Sequence, residues 1–331
     1  MSRTLRMLIA VVLTATSSFG GPPKQPGRLP RAARSPWGPN DEIGRLNLMT
    51  DASRAAILSR ISSGRVYDLG VEYHKAMPSW SLLGDPTYQL WMTHTPQGTV
   101  VDNPLQLGKA MHEHVSYSGD AVLMYTHTGT HLDSLAHFGL NGETWNGFRH
   151  EAHLGDLGWK KGGAEKLPPI VARGVLIDVA GSKGVDVLPD AYRITPDDLK
   201  AALAKQQVSL QPGDVVFIRT GRMRLIDQPQ QYLAPEPGIG LAAAKWLVES
   251  QGAMVIGSDN LSLESFPVET NENWVPVHTY LEAEQGAGIM EVVDLEQLAK
   301  DKVFEFAFIG ASLKLRGASG APMRPIAIPV R

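Results

Sequence analysis

Four side chains that can bind a metal or transfer a proton lie close together in the segment THTGTHLDSLAHF, which spans residues 126–138. They are His127, His131, Asp133 and His137. Imidazole nitrogens and carboxylate oxygens are the ligands that zinc, manganese and ferrous iron accept from proteins. The segment therefore predicts a divalent metal centre, for which we expect Zn or Mn.

The spacing within this segment favours three of the four as metal ligands. His131 and Asp133 are two residues apart, so on an extended chain both project to one face. Gly129 permits a bend that would bring His127 beside them. A helical arrangement of His127 and His131 is the less favoured alternative, because Thr-Gly-Thr is a poor helix interior. Three ligands leave positions open for water and substrate, as in catalytic metal sites.

His137 follows at a longer interval, and two roles are open to it. Off the metal it would be the catalytic general acid or base, since the ordinary pKa of imidazole suits proton transfer near neutral pH. On the metal it would be a fourth ligand. The whole cluster could instead consist of histidines that only satisfy hydrogen bonds, but three of them with an aspartate at these intervals favour metal binding.

The elements that must position this cluster are mostly strands. Apolar runs predict strands at residues 66–71, 121–126, 174–180, 214–219, 253–257, 304–310 and 325–330. Helices are predicted over 51–61, with Thr50 or Asp51 as the cap, after a cap at Thr195, and over 240–250. Because several strands follow one another without a helix between them, we expect an α/β fold with a mixed β-sheet core in a single main domain. The cluster would lie at the end of the 121–126 strand.

Composition limits the class of partner and of site. The 331 residues carry a formal net charge of −3, so they lack the basic surface of a nucleic-acid-binding protein. There is no cysteine, which excludes disulfides, thiolate ligands and a thiol nucleophile. The expected partner is a small-molecule substrate. Trp80, Trp91, Met92 and Phe138 could line an apolar pocket for it.

The first twenty residues have the pattern of an export signal. Arg3 and Arg6 precede the apolar run MLIAVVLTA, and small residues follow it. We therefore predict a signal peptide at 1–20, a linker rich in Pro, Gly and Arg at 21–36, and the folded domain at 37–331. The mature protein would be periplasmic or secreted and free of the membrane, because the run is too short to span a bilayer. Without a signal it would be cytoplasmic.

The segment HTGTHLDSLAHF resembles the H-x-G-T-H-x-D-x-x-x-H signature of the metal-dependent cyclase-like hydrolases. That family includes kynurenine formamidase, isatin hydrolase and a trans-dienelactone hydrolase. The resemblance extends to WGPNDEIGRLNLMT, PGDVVFIRTG, GSDNLSLE and LKLRGASGAPMRPIAI, and so covers nearly all of the chain after the linker. It implies a swivelling β/β/α type of fold, a bound metal, a homo-oligomer, and hydrolysis of a small cyclic or N-acyl substrate.

By position, the resemblance carries over metal ligation to His127, His131 and Asp133 and a catalytic role to His137. It also implies a later pair, His278 and Glu291, that would hold a second metal or contact substrate. The interval between these two is one residue longer than in formamidases, so a one-metal site of the isatin hydrolase type is the alternative. Residues 134–136 are Ser-Leu-Ala where formamidases often have Ala-Pro, which argues against a formamidase itself.

Two classes of function follow from these residues. The first is a metal-dependent hydrolase that opens a small lactam or lactone, or cleaves an N-formyl amide, with a metal-activated water. The same site could instead catalyse ring closure, because metal activation of a carbonyl group serves both directions of the reaction. The second is a non-catalytic periplasmic protein of the same fold that binds a metal or a small molecule. A hydrolase needs His137 off the metal, whereas a binding protein does not.

Overall fold

The computed structural model describes residues 30–331, apart from the side chain of Leu82. The predicted signal peptide at 1–20 and most of the predicted linker lie outside the described residues. The end of that linker contacts the folded body, since Ala33 N donates a hydrogen bond to Ala283 O at 2.9 Å and Ser35 N donates one to Asn146 Oδ1 at 3.0 Å. Ordered packing therefore begins a few residues before Trp37.

Strands account for most of the regular structure that positions the site. In chain order they are β1 (Tyr67–Asp68), β2 (Gln89–His94), β3 (Gly119–Leu123), β4 (His131–Asp133), β5 (Glu143–Thr144), β6 (Phe148–Arg149), β7 (Leu154–Gly155), β8 (Gly158–Trp159), β9 (Ile170–Asp178), β10 (Arg193–Ile194), β11 (Val215–Arg219), β12 (Gly238–Ile239), β13 (Val255–Ser258), β14 (Gly288–Glu291), β15 (Glu305–Gly310), β16 (Gly320–Pro322) and β17 (Ile326–Pro329).

Nine of these strands form one mixed sheet in the order β1-β17-β15-β9-β11-β13-β14-β4-β16. The four central strands β9, β11, β13 and β14 are parallel, and antiparallel strands flank them on both sides. Residues 31–331 form one compact unit. The predicted α/β fold with a mixed sheet in a single domain is therefore confirmed.

The helices cover the sheet. In chain order they are α1 (Asp51–Ser59), α2 (Pro96–Asp102), α3 (Lys109–His114), α4 (His150–His153), α5 (Val179–Ser182), α6 (Pro196–Gln206), α7 (Pro229–Tyr232), α8 (Leu241–Lys245), α9 (Pro276–His278) and α10 (Glu296–Lys300). Helices α8 and α9 continue as π-helical turns, Trp246–Ser250 and Thr279–Glu284. Within residues 30–331, no helix is both long enough and apolar enough to cross a bilayer.

Two helix starts follow the predicted capping. The Thr50 and Thr195 hydroxyls accept the backbone N–H three residues on, and the Ser53 and Asp198 side chains accept the N–H of the cap in return. Each pair satisfies two backbone donors that a helix end leaves without partners.

The core has two parts because a β-strand alternates its side chains between opposite faces. On β9, Val175 and Ile177 lie on one face, in a buried cluster with apolar residues of α6, α8 and α9. Leu176 lies on the other face, in a cluster with Phe217, Phe306 and further apolar residues. Both clusters are fully buried, so they hold the sheet rigidly beneath the residues of the site.

The strand predicted at 121–126 is present as β3, but it does not belong to the main sheet. Among residues 30–331, strand β3 pairs only with β2, in a hairpin outside the main sheet. Trp91 and Met92 on this hairpin are about half exposed, and so are Val122 and Leu123. Trp91 and Met92 are therefore not core residues of this chain, and their place in a substrate pocket stays a prediction. The strand that brings the histidine cluster into the main sheet is β4 itself.

Candidate metal centre and active site

Strand β4 carries the centre of the cluster, between β14 and β16 at one side of the sheet. His131 and Asp133 project to the same face, and Leu132 packs on the opposite face in the core. The antiparallel register sets Glu291 of β14 opposite His131, and Gly320 of β16 opposite Asp133. Sheet pairing therefore brings a second carboxylate to the cluster from a strand 160 residues later in the chain.

A tight bend brings His127 to the same place. Gly129 has a positive φ of 63°, and its carbonyl oxygen lies 2.7 Å from His131 Nδ1. A hydrogen on Nδ1 can be donated to that carbonyl, which leaves the Nε2 lone pair of His131 free to bind a cation. On the other side of the bend, His127 Nε2 lies 2.9 Å from Ser319 Oγ. That contact directs Nδ1 of His127 toward Asp133.

Several buried polar atoms converge here without a hydrogen-bond partner among the described residues. They are His127 Nδ1, His131 Nε2 and both carboxylate oxygens of Asp133. His127 Nδ1 lies 2.6 Å and His131 Nε2 3.4 Å from Asp133 Oδ1, and His131 Nε2 lies 3.3 Å from Glu291 Oε2. These contacts lack hydrogen-bond geometry. Buried polar atoms are nearly always hydrogen-bonded, so a cluster of nitrogen and oxygen atoms that only face one another fits a bound cation. These donors suit zinc and manganese.

The structure arranges the donors in two overlapping groups that share Asp133. One contains His127, Asp133 and His137, and the other contains His131, Asp133 and Glu291. Within each group the donor atoms lie within 4.8 Å of one another. The structure thus brings the three predicted ligands, His127, His131 and Asp133, together. His137 completes the group that contains His127, and Glu291 completes the group that contains His131. Both roles considered for His137 fit this geometry.

The local charges favour a positive species at this point. Burial acts to raise the pKa of Asp133, but the His127 and His137 imidazoles outweigh it and hold that pKa well below its usual value. Burial acts to lower the pKa of His131, yet the carboxylates of Asp133 and Glu291 raise it to about 10. The carboxylates of Asp133 and Glu291 therefore favour a positive charge beside them, which a divalent cation would supply.

His137 differs from the other histidines in its electrostatics. Its ring is stacked on that of His127, with centroids 3.9 Å apart and an interplanar angle of 27°. Burial lowers the pKa of His137 well below its usual value, and the neighbouring His127 lowers it further. A neutral imidazole can accept a proton, as a general base must.

His278 lies between two carboxylates at the same site. Its Nδ1 is 2.6 Å from Glu264 Oε1, and its Nε2 is 3.1 Å from Glu291 Oε1. Burial opposes protonation of His278, but both carboxylates raise its pKa well above the usual value. His278 and Glu291 therefore reach the cluster, as predicted by position. Glu291 contacts both His131 and His278 and so links the two parts of the site.

Three neighbours of the cluster were not assigned from the sequence. Glu264 ends the segment GSDNLSLE, which the resemblance included without giving that residue a role. Ser319 lies in the late segment LKLRGASGAPMRPIAI and contacts His127. Glu282 follows His278 by four residues on the same helical segment, and that spacing was the available signal. It is fully buried and accepts the backbone N–H of Phe138 at 2.7 Å.

Aromatic rings lead from the cluster to the surface. The Phe138 ring lies 4.3 Å from that of His137 and 4.9 Å from that of His278, measured between centroids. Trp274, which is 65% exposed, contacts Phe138 edge-to-face at 5.6 Å. Phe138 is therefore at the site, as expected. Trp80 packs beside a separate apolar cluster that includes Met223 and Tyr232.

We expect Gly129→Ala to damage the centre through the backbone. A Cβ at this position would lie 2.7–3.0 Å from the Tyr73 ring and hydroxyl, and its positive φ is strained for alanine. The free energy of unfolding should fall by about 2 kcal/mol or more, and metal content should fall with it. Gly142→Ala is the matched control, because Gly142 has a φ of +78° and open space around it. Equal loss of stability in the two variants, measured by urea unfolding, would show that contact with Tyr73 is unimportant.

Comparison with known proteins agrees with this fold. The Cyclase family model matches residues 67–265, more than half of the chain. Cyclase-like protein 3 of Oryza sativa subsp. japonica is 24% identical over 267 residues, which is 80% of each chain. The crystal structure of a novel cyclase superposes with a TM-score of 0.79 at 29% identity, covering 90% of this chain and 100% of that one.

A more distant structure has the same fold. Isatin hydrolase A from Ralstonia solanacearum superposes with a TM-score of 0.61 at 20% identity, covering 85% of this chain and 97% of that one. Since the family model spans most of the sheet together with the histidine cluster, this chain belongs to the Cyclase family.

Proposed function

We propose that this protein is a metal-dependent hydrolase that opens a small lactam or lactone, or cleaves an N-formyl amide. The observation that carries the proposal is the convergence of unpaired buried donor atoms from His127, His131 and Asp133. The family match and the similarity to proteins named isatin hydrolase support hydrolysis of a cyclic amide. A lactone is the second substrate class, because the same attack on a carbonyl carbon opens it.

In this proposal His127, His131 and Asp133 hold the cation. When bound, a divalent cation supplies Lewis acidity, which lowers the pKa of water and polarises a carbonyl group. His137 receives the proton that the attacking water loses, because its imidazole lies beside Asp133 and stacking on His127 fixes its orientation. The same imidazole then donates that proton to the leaving nitrogen or oxygen.

The remaining residues orient and enclose the substrate. Glu264 fixes the His278 ring through Nδ1, so that Nε2 points to Glu291. His278 and Glu291 would contact substrate or hold a second cation. Phe138 and Trp274 offer an apolar wall on which a planar ring can stack. Together these groups favour a small, flat substrate with a reactive carbonyl.

The first experiment is a substrate panel with enzyme reconstituted separately with Zn²⁺ and Mn²⁺. Isatin, an N-formyl arylamine and an unsaturated lactone represent the three substrate classes. We expect turnover of at least one, abolished by chelation and restored by adding the metal back. Tight metal binding with no turnover of any of the three would favour the alternative, a binding protein of the same fold. An active metal-free enzyme would contradict the proposal outright.

Two further expectations accompany this proposal and stay predictions. One is export to the periplasm or medium, which N-terminal sequencing of the mature protein would test. The other is a homo-oligomer, which sedimentation of the purified protein would test.

A further inference from the structure

A buried carboxyl group beside the proposed centre holds the backbone that carries His137. Glu282 has no exposed surface, and its Oε2 accepts the N–H of Phe138 at 2.7 Å. Its Oε1 has no hydrogen-bond partner among residues 30–331. A fully buried glutamate is uncommon because burying a carboxyl group is costly. Its single hydrogen bond therefore calls for a reason beyond packing.

That hydrogen bond joins two segments far apart in the sequence. Phe138 directly follows His137 in the loop after β4, whereas Glu282 belongs to the helical segment that carries His278. The Phe138 ring contacts the imidazoles of both His137 and His278, with centroids 4.3 Å and 4.9 Å away. Holding the Phe138 backbone therefore helps to hold the adjacent His137 relative to His278.

Glu282 is not itself among the candidate ligands. The two groups of converging donors include Asp133, His137 and Glu291, and Glu282 belongs to neither. Burial raises the pKa of Glu282 well above its usual value, and the nearby Asp133 raises it further. A carboxyl group has nearly the shape of an amide, and both groups offer an oxygen that can accept the Phe138 N–H. Glutamine is therefore the conservative replacement at this position.

We propose that Glu282 is a positioning residue, which acts through the Phe138 N–H to hold His137 in place for proton transfer. This inference rests on the proposed function, since it assigns His137 the proton. The Glu282 side chain neither contacts the cation nor exchanges a proton with substrate. Its effect is to keep the His137–Phe138 loop against the helix of His278, so that the imidazole does not have to be reoriented in each turnover.

The test compares Glu282→Met with Glu282→Gln in the full-length, metal-loaded protein. Methionine fills the space but removes the acceptor, whereas glutamine keeps a carbonyl oxygen for the Phe138 N–H. For Glu282→Met we expect kcat to fall about 10- to 100-fold with KM and metal content little changed, because the imidazole is misplaced. Hydrogen exchange at the Phe138 amide should become about 10-fold faster. Glu282→Gln should restore both values.

Glu284→Ala is the control, since Glu284 lies two residues further on in the same helical segment. Unchanged exchange in Glu282→Met would overturn the proposal, as would faster exchange with unchanged kcat. A Glu282→Gln variant that keeps exchange slow but loses kcat would also overturn it, because the carboxyl group would then act chemically. If Glu282→Met does not fold, Glu282→Asp withdraws the carboxyl group by one methylene and gives the same two readouts.

Amide exchange does not depend on turnover, so the two proposals can fail separately. If the wild-type protein hydrolyses none of the panel, the proposed function fails. Exchange in the Glu282 variants still decides whether this side chain holds the loop, and unchanged exchange rejects the positioning role without reference to activity.

Discussion

Asp133→Ala is expected to remove the bound cation and to lower kcat/KM by more than about 10³-fold, because the loss of a ligand removes the metal chemistry. Asp133 is shared by both groups of converging donors. It is also the acid nearest to His127, at 2.6 Å. No other variant in the cluster removes a donor from both groups at once, so we expect this effect to be the largest.

Metal content and thermal stability should report the same loss without any assay of activity. A ligand that binds only the folded state raises its stability by mass action, so added Zn²⁺ or Mn²⁺ should raise the Tm of the wild-type protein. The Tm of Asp133→Ala should not respond. Asp156→Ala, at an exposed aspartate, is the control and should behave as wild type. A metal-loaded, active Asp133→Ala enzyme would show that the site lies elsewhere.

His137→Ala is expected to lower kcat by about 10²- to 10⁴-fold while the protein keeps its cation, because a general acid–base group contributes in that range. The prediction separates the two roles that the geometry allows. His137 stacks on His127, and its donor atom lies within reach of Asp133. Retention of the metal with loss of turnover supports proton transfer by this imidazole.

Metal analysis of His137→Ala decides the alternative. Loss of the cation together with turnover would make His137 a ligand, and the proton would then need another carrier at the site. His114→Ala, at an exposed histidine of α3, is the control for the substitution itself. Full activity in His137→Ala would remove this residue from the mechanism altogether.

The sequence by itself determined the local parts of this site. His131 and Asp133 share a face because side chains in a strand alternate, and that rule needs only their spacing. The bend at Gly129 and the cap at Thr195 were also predicted from residue type, and Thr50 was one of two candidate caps for the first helix. Each of these features depends on backbone preferences within a few residues. The α/β class followed from the order of apolar runs. The positional resemblance further pointed to His278 and Glu291.

The tertiary structure alone decided which distant groups surround those local parts. Glu291 faces His131 because β4 pairs with β14, and Ser319 reaches His127 because β16 pairs with β4. No local pattern encodes that strand order, since it results from packing the whole sheet. For the same reason Glu264 and Glu282 had no assigned role. The apolar run of β3 likewise did not show that this strand pairs with β2 and not with the main sheet. Periodicity predicts which residues share a face of a strand, whereas long-range strand pairing determines which side chains that face contacts.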